Sequence, residues 1–363
     1  MKRELIYDLL RGTLSEGDVS GIGNFEEVSW MEWDQAFKVL SMHGLASFAY
    51  GAVERMPVGV RPPKDVLLKF IGADIAAQKA YAKSRSIVDA IGVEMMSSDV
   101  KCLLLKGLSL AEYYPKPHMR KSVDIDLYAP GAEAEVDETF RRKGVEVDVS
   151  FYRHSHMSVS GVLVENHHFL LDVRGRENIA ALDSDLKRMA LKRLSTESNP
   201  GIYYPDAAFS LIFNLHHAMS HFIYEGISFK FLTDWVLFLR KEADMLKDND
   251  MGRLLAEHGL LKFAAVMSEV SASHLGLAPD DIPEYIRREM ALLKPRVVER
   301  FIDDLFRPYE QIHHRSIIAE RLHSVRRIMK AAWKPKEFLG QSAVGFVWDK
   351  FVPIMKGQKF EAD

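Results

Sequence analysis

The sequence predicts an α+β protein in which a small mixed β-sheet is flanked by N-terminal and C-terminal helical regions. Three observations support this prediction. Apolar residues recur at helical spacing up to about residue 95, short apolar and alternating runs follow to about 180, and helical spacing then returns. We therefore divide the chain into a helical region, 1–95, a mixed core, 96–180, and a C-terminal helical domain, 181–363.

The helices on both sides of the core are predicted from the spacing of their apolar residues. In the N-terminal region this spacing occurs in "WMEWDQAFKVLSMHGLASFAYGAVERM", and a long helix follows Pro62-Pro63, since proline is favoured where helices begin. In the C-terminal region it recurs in "DSDLKRMALKRL", "DAAFSLIFNLHHAMSHF" and "FKFLTDWVLFLRKEADML".

The core begins with two predicted strands and a short helix between them. "KCLLLKG" is an apolar run closed by Gly107, which is typical of a buried strand, and "LSLAEYY" is helical until Pro115. "SVDIDLYAP" alternates, and residues two apart in a strand share a face. One face of this strand is expected to pack inward with Val123, Ile125 and Leu127, and the other carries Asp124, Asp126 and Tyr128.

A helix and a β-hairpin complete the predicted core. "GAEAEVDETFRRKG" has acids early, bases late and Gly144 after its end, as helices prefer. Ser160-Gly161 suits the tip of a two-residue hairpin turn, which would pair His156 with Glu165 and His154 with His167. One face then carries His154, His156, Ser158, Leu163, Glu165 and His167, and the other Ser155, Met157, Val159, Val162, Val164 and Asn166. Three histidines and a carboxylate are an unusual set of side chains for a packed surface. Any single histidine, however, could be an ordinary residue of the sheet whose hydrogen bonds are satisfied.

Composition excludes several classes of protein. Of the 363 residues 47% are apolar and 27% are charged, with a formal net charge of −3, which argues against a surface built wholly for nucleic acid. The single cysteine, Cys102, excludes an intramolecular disulfide and is expected to be a core residue. The charged N-terminus does not resemble a signal peptide, and no run of apolar residues is long enough to span a membrane. We therefore expect a cytoplasmic protein.

Two features of the core indicate chemistry. Asp124 and Asp126 place two carboxylates side by side, and a divalent cation such as Mg²⁺ is the usual reason for such a pair, although a solvated strand face is the simpler interpretation. The Lys106-Gly107 turn between a strand and a helix can offer backbone N–H groups and an ammonium to a phosphate. The alternative is a left-handed turn that needs glycine, beside an exposed lysine.

The string "LLLKGLSLAEYYP…MR…VDIDLY" resembles the bacterial uncharacterised nucleotidyltransferase family of the DNA polymerase β-like superfamily. The matching positions are Lys106, Gly107, Tyr114, Pro115, Arg120, Asp124 and Asp126. "LVENHHF" is similar to the strand that follows in the family and places Glu165 and His167 on its motif, while His217, His221 and Asp234 fall on looser helical motifs. The similarity spans roughly residues 100 to 240. The departures are Lys-Gly where the superfamily has Gly-Gly or Gly-Ser, Asn166 for an apolar residue and His168 for an aromatic one.

The resemblance implies a nucleotidyltransferase core at 96–180, with Mg²⁺ (or Mn²⁺) as cofactor and a nucleoside triphosphate as substrate. Asp124, Asp126 and Glu165 would be the catalytic metal ligands, and Glu165 would also help to deprotonate the acceptor hydroxyl. Lys106, Gly107, Ser109, Arg120 and His167 would bind the nucleotide. The acceptor, whether a small molecule, glycan, protein or RNA, is not implied.

Several alternatives stay open on the sequence alone. Asp172, Asp148 and Glu146 are rivals of Glu165 for the third carboxylate. His217 and His221 lie four apart on a helix, so they could bind zinc, line the cleft or pack between domains, and Asp234 could be a buried hydrogen-bond acceptor or a cleft residue. The basic segment 315–336 is either a solvated helix face or a patch for an anionic acceptor. The alternative functions are a toxin-like transferase that modifies tRNA ends and a degenerate member of the fold that only binds nucleotide.

Overall fold

The computed structural model describes residues 3–15, 23, 25–173, 177–307, 331–342 and 345. It confirms the α+β class, with a six-stranded mixed sheet flanked by helices. The N-terminal helices are α1 (Arg3–Leu14), α2 (Trp30–Met42), α3 (Ala46–Arg55) and α4 (Lys64–Ser97). A capping box starts α2, because the Ser29 hydroxyl accepts from the Glu32 N–H while the Glu32 carboxylate accepts from the Ser29 N–H. The long α4 follows Pro63, as the sequence predicts.

The core contains two short helices and most of the sheet. Its helices are α5 (Lys106–Ala111) and α6 (Glu133–Arg142), and Gly144 takes a left-handed conformation just after α6, with φ of 75°. Its strands are β1 (Lys101–Leu105), β2 (Asp124–Tyr128), β3 (Val147–Asp148), β4 (His154–Val159) and β5 (Val162–His167). A sixth strand, β6 (Gly201–Tyr203), comes from the region where the sequence predicts helices.

The sheet has the strand order β3-β4-β5-β2-β1-β6. β1 pairs with β2 in the antiparallel sense and with β6 in the parallel sense. β2 also pairs with β5 in the parallel sense, and β5 pairs with β4 as a hairpin. β2 and β5 therefore lie at the centre of the sheet, and residues of the two strands face each other directly.

Both faces of the sheet are covered, and each takes alternate residues of the strands. Cys102, Leu104, Ile125, Leu127 and Val164 pack with α4 and α6 in one hydrophobic cluster. Cys102 is a core residue, as predicted, and burial raises the pKa of its thiol to about 12. Leu103, Leu105 and Tyr128 join a second and larger cluster on the opposite face. The prediction for Val123 is wrong, because the residue precedes β2 and is 71% exposed.

The C-terminal helices share the larger cluster with the N-terminal ones. They are α7 (Glu177–Ser195), α8 (Ala207–Tyr224), α9 (Phe229–Glu242), α10 (Asn249–Glu257), α11 (Leu261–Leu275), α12 (Glu284–Met290), α13 (Pro295–Leu305) and α14 (Trp333–Phe338). Tyr7 of α1, for example, packs edge-on against Phe229 of α9 with ring centroids 5.8 Å apart. The division into three domains stays a prediction, and one hydrophobic core runs through its first and third parts.

Two further sequence predictions concern surfaces of the helical regions. None of the described helices is long and apolar enough to cross a membrane. Of the basic segment 315–336, residues 315–330 lie outside the described residues. Lys334, at its described end, is buried and donates to Asp304 and to the Phe222 carbonyl, at 2.8 and 2.6 Å.

His43 gives the fold a predicted dependence on pH. Its buried ring accepts a hydrogen bond from the Phe229 N–H at Nδ1, and burial lowers its pKa from 6.5 to about 4. Below pH 6.5 the unfolded chain binds a proton at His43 that the folded protein does not bind. The contribution of His43 to the free energy of unfolding is therefore present above pH 6.5 and is lost between about pH 6.5 and 4. We expect the free energy of unfolding to fall by about 2 kcal/mol from this source between neutral pH and about pH 5.

Urea unfolding of the wild type and of His43→Asn at the two pH values checks this contribution. The other titrating groups are common to both proteins, so the difference between their pH dependences isolates His43. Equal pH dependences in the two proteins would contradict the prediction.

Candidate active site

The predicted hairpin register is present in the structure. Ser160 and Gly161 form the turn with φ of 52° and 73°, as a two-residue hairpin turn with two left-handed residues requires. His154 pairs with His167, and His156 pairs with Glu165. The parallel pairing of β2 with β5 then sets Asp126 directly beside Glu165. The histidine-rich face of the hairpin therefore continues into the aspartates of β2.

Asp126 lies at the centre of the site and is 2% exposed. Its Oδ1 lies 2.9 Å from both the Lys106 ammonium and Nε2 of His167. Burial alone would raise the pKa of Asp126, but these two neighbours reverse the effect and hold its pKa well below the usual value. Asp126 is therefore a buried carboxylate that stays ionised.

The other two carboxylates are less well neutralised. Burial, followed by the negative charge of Asp126, raises the pKa of both Asp124 and Glu165 above their usual values. Glu165 has its closest imidazole nitrogens, those of His156, His154 and His167, at 3.4, 3.7 and 3.8 Å. Three carboxylates thus lie close together while the Lys106 ammonium pairs with only one of them, Asp126, and a divalent ion would relieve their repulsion.

Two groups of side chains in the described part of the chain could hold a metal ion. One contains Asp126, Glu165 and His167, and the other contains His154, His156 and Glu165, with all ligand atoms of a group within 4.8 Å of one another. Of the predicted ligands, Asp126 and Glu165 thus come together, whereas Asp124 shares their strand face but belongs to neither group.

The rivals of Glu165 for the third carboxylate lie elsewhere. Glu146 and Asp148 are exposed, and Asp148 lies in the edge strand β3, where it accepts from the Ser150 N–H. Asp172 follows β5 and belongs to neither group of ligands. Glu165 is the one that lies in register with Asp126.

The turn at Lys106-Gly107 differs from the expected left-handed glycine. Lys106 is the residue with a positive φ, 41°, and it directs its ammonium to Asp126. Position 107 requires glycine because the Ser122 side chain packs directly against its backbone. A Cβ at this position would lie 2.2 Å from the Ser122 Oγ. The Ser109 hydroxyl donates to the Lys106 carbonyl at 3.0 Å. Strain at Lys106 and crowding at Gly107 together fix the position of the ammonium.

We expect Gly107→Ala to destabilise the fold by about 1–3 kcal/mol, because the new methyl group displaces Ser122. The Ser122 Oγ would also lose its hydrogen bond to the Asp124 carbonyl, which is 3.1 Å long. Denaturant unfolding measures the change. Ser122→Ala in the same chain removes the closest atom, so the double variant should recover part of the loss. A Gly107→Ala protein as stable as the wild type would contradict the prediction.

Arg120 lies in a buried network and is 6% exposed. Its guanidinium forms two hydrogen bonds with the Asp234 carboxylate, at 2.8 and 2.9 Å, and a third with the Gly107 carbonyl at 2.9 Å. The Tyr114 hydroxyl also donates to Asp234, at 2.7 Å. Asp234 is therefore a buried hydrogen-bond acceptor, and Arg120 connects the Lys-Gly turn to α9.

The predicted helical histidines lie beside this network. His217 lines a cavity with Lys106, Arg120, Phe231, Asp234 and Trp235. Nδ1 of His221 lies 2.9 Å from a carboxylate oxygen of Glu225, within hydrogen-bond distance. The ring centroids of His217 and His221 are 4.6 Å apart. Neither histidine belongs to a group of three potential metal ligands in the described chain, so the zinc alternative gains no support.

Lys230 is a site residue that the sequence reasoning missed. It lies in the first turn of α9 and interacts electrostatically with Asp124. Burial, followed by repulsion from Arg120, lowers the pKa of Lys230 to about 8, and its ammonium has no salt-bridge partner among the described residues. A cation is unfavourable at a helix start because of the helix dipole, and this was the available signal in the sequence.

Comparison with known proteins gives one match. The family described as "Uncharacterised nucleotidyltransferase" matches residues 29–276, which include every predicted site residue and α9. No curated protein matches the chain, and no solved structure does so. The match covers more than half of the sequence and extends from α2 to the end of α11. The chain therefore belongs to the family of uncharacterised nucleotidyltransferases.

Proposed function

We propose that the protein transfers a nucleotidyl group from a nucleoside triphosphate to an acceptor hydroxyl, with release of pyrophosphate, and that it needs a divalent metal ion. The observation that supports this most directly is the pairing of Asp126 with Glu165 on neighbouring parallel strands, next to His167. The proposal also includes membership of the polymerase β-like superfamily, a bacterial origin and a location in the cytoplasm.

The residues of the site fit a divalent ion. The ligand atoms of Asp126, Glu165 and His167 lie within 4.8 Å of one another, and carboxylate oxygens suit Mg²⁺ or Mn²⁺. We assign metal binding to Asp124, Asp126 and Glu165, with Asp124 completing the set from the same strand. Such an ion, when bound, would neutralise the phosphates and favour loss of pyrophosphate.

The chain's own cations would hold the triphosphate. Lys230 provides a half-buried ammonium that interacts electrostatically with Asp124, and a bound anion would compensate its loss of hydration. Lys106, whose ammonium lies 2.9 Å from Asp126, and the backbone at Gly107 would supply further phosphate contacts. His167 holds Asp126 in place through its hydrogen bond. We assign Ser109 and Arg120 to positioning the turn, because both bond to its backbone carbonyls.

Labelling of a cell extract tests the proposal. The full chain is incubated with each α-labelled nucleoside triphosphate, Mg²⁺ or Mn²⁺, and extract, and label is expected on one class of acceptor. Label on RNA would select the tRNA-modifying alternative. If no label appears and nucleotide binding survives Asp124→Asn with Asp126→Asn, the catalytic proposal is wrong and the degenerate alternative stands.

A further inference from the structure

Four side chains of the β4–β5 hairpin form a compact block on the active-site face. Because His154 pairs with His167 and His156 pairs with Glu165, three imidazoles and one carboxylate meet on two adjacent strands. Their side chains are 8%, 0%, 22% and 13% exposed for His154, His167, His156 and Glu165. Water is largely excluded from the block, so its polar atoms are expected to have hydrogen-bond or metal partners in the protein.

The distances within the block are unsuited to hydrogen bonds. His156 Nε2 lies 3.4 Å from one Glu165 oxygen, and His154 Nε2 lies 3.7 Å from the other, both beyond the usual range of N–H···O bonds. Two ligands of one ion with bonds of about 2.0–2.2 Å are separated by roughly 3.0–3.6 Å in tetrahedral or octahedral geometry. The spacing therefore resembles the edges of a coordination polyhedron.

The ligand types select the kind of ion. Imidazole nitrogen suits Zn²⁺, Co²⁺ and Cu²⁺, whereas Mg²⁺ takes oxygen ligands almost exclusively. Oε1 of Glu165 lies nearest to His156, while Oε2 lies 3.7 and 3.8 Å from Nε2 of His154 and of His167, so the carboxylate lies between the two groups of ligands. One position faces Asp126 and His167, and the other faces His154 and His156.

We propose that His154, His156 and Glu165 form a second metal position, specific for a transition-metal ion and bridged by Glu165 to the proposed nucleotide-transfer site. The inference rests on the proposed function only in that Glu165 is shared. The ring planes of His154 and His156 are 16° from parallel, so the ring of His156 has to turn about Cβ–Cγ to bring both nitrogens onto one ion. The Phe151 ring stacks on His156 with centroids 3.9 Å apart, so Phe151 has to shift when the ring turns.

Direct measurement of Co²⁺ binding tests the proposal. The full chain, freed of any polyhistidine tag, is titrated with CoCl₂ while visible absorption reports ligation of the bound ion. We expect one Co²⁺ to bind and to resist displacement by excess Mg²⁺. Removal of an outer partner of a metal ligand already weakens binding about 10–100-fold, so His154→Gln and His156→Gln should weaken it at least as much.

His168→Gln is the matched control, since His168 follows the same strand but bonds to Ser155 on the opposite face. It should bind Co²⁺ like the wild type. Unchanged Co²⁺ affinity in both His154→Gln and His156→Gln would overturn the proposal, as would easy displacement by Mg²⁺. If the variants fail to fold, pulsed electron paramagnetic resonance of Cu²⁺ bound to the wild type decides the matter. Ligation by His154 and His156 gives nitrogen couplings from two imidazoles, whereas His167 in the other group can give only one, so fewer than two couplings would refute the site.

The outcome is separate from that of the transferase proposal. If Co²⁺ binding does not depend on His154 and His156 while nucleotides are still transferred in Mg²⁺, the second metal position alone is refuted. Nucleotide transfer that fails with every metal, while Co²⁺ still binds through the histidines, would refute the transferase proposal alone.

Discussion

Asp126→Asn is expected to lower the rate of nucleotide transfer by on the order of 10³-fold, the upper end of the loss caused by removing one preorganised electrostatic group. The carboxylate is the one that Lys106 and His167 keep ionised and that lies beside Glu165. An amide cannot supply the negative charge that a divalent ion requires. The measurement is the initial rate of label transfer to the acceptor class found in extract, at saturating nucleotide.

The control has to separate loss of charge from loss of fold. Asp126→Asn leaves the Lys106 ammonium, whose side chain is 12% exposed, without its carboxylate partner. Lys106→Met with Asp126→Asn removes both charges. The difference in free energy of unfolding between this double variant and Asp126→Asn alone shows how much the unpaired ammonium destabilises the protein. Asp148→Asn changes an exposed aspartate of the edge strand and should leave the transfer rate unchanged. A folded Asp126→Asn protein with a rate within about tenfold of the wild type would contradict the assignment.

Asp234→Asn is expected to lower the free energy of unfolding by about 3–5 kcal/mol, the usual consequence of removing one partner of a buried ion pair. Arg120 and Asp234 are 6% and 7% exposed, and the guanidinium would keep its charge without the carboxylate that receives two of its hydrogen bonds. An asparagine keeps one carbonyl oxygen that can accept from the Tyr114 hydroxyl, but its amide nitrogen would replace the second acceptor and face an N–H donor of Arg120. Urea unfolding monitored by circular dichroism measures the change.

Two further variants make this measurement specific. Arg120→Met with Asp234→Leu replaces the pair by apolar groups and should recover part of the stability, because no buried charge is left unpaired. Asp303→Asn breaks a surface pair with Arg3, whose side chains are 63% and 46% exposed, and should leave the unfolding midpoint nearly unchanged. Equal effects of Asp234→Asn and Asp303→Asn would show that the buried network does not stabilise the fold.

The local parts of the fold could be predicted from the sequence because short-range rules determine them. The two-residue turn at Ser160-Gly161 fixes the pairing of His156 with Glu165, and the structure has that pairing. The long α4 follows Pro63 as expected. Alternation also separates the aspartates from Ile125 and Leu127, although it fails for Val123 because the strand begins one residue later.

The non-local parts of the site could not be predicted in this way. The position of Asp126 beside Glu165 depends on parallel pairing of β2 with β5, and no turn connects those strands directly to specify it. Arg120 finds its partner 114 residues later in the chain, and Asp234 gave no sign of which cation it would meet. Lys230 interacts electrostatically with Asp124, which lies far earlier in the chain, so a cation at a helix start could not by itself indicate which carboxylate it would meet.

The position of β6 has a consequence for the order in which the chain can fold during synthesis. β1 lies between β2 and β6, and its partner in β6 follows about a hundred residues later. Until Gly201–Tyr203 leaves the ribosome, the backbone N–H and C=O groups on one side of β1 have no strand to pair with. A strand of another nascent chain could form hydrogen bonds with them. A fragment ending at residue 180 would keep this open edge permanently, so a truncated core is expected to associate rather than stay monomeric.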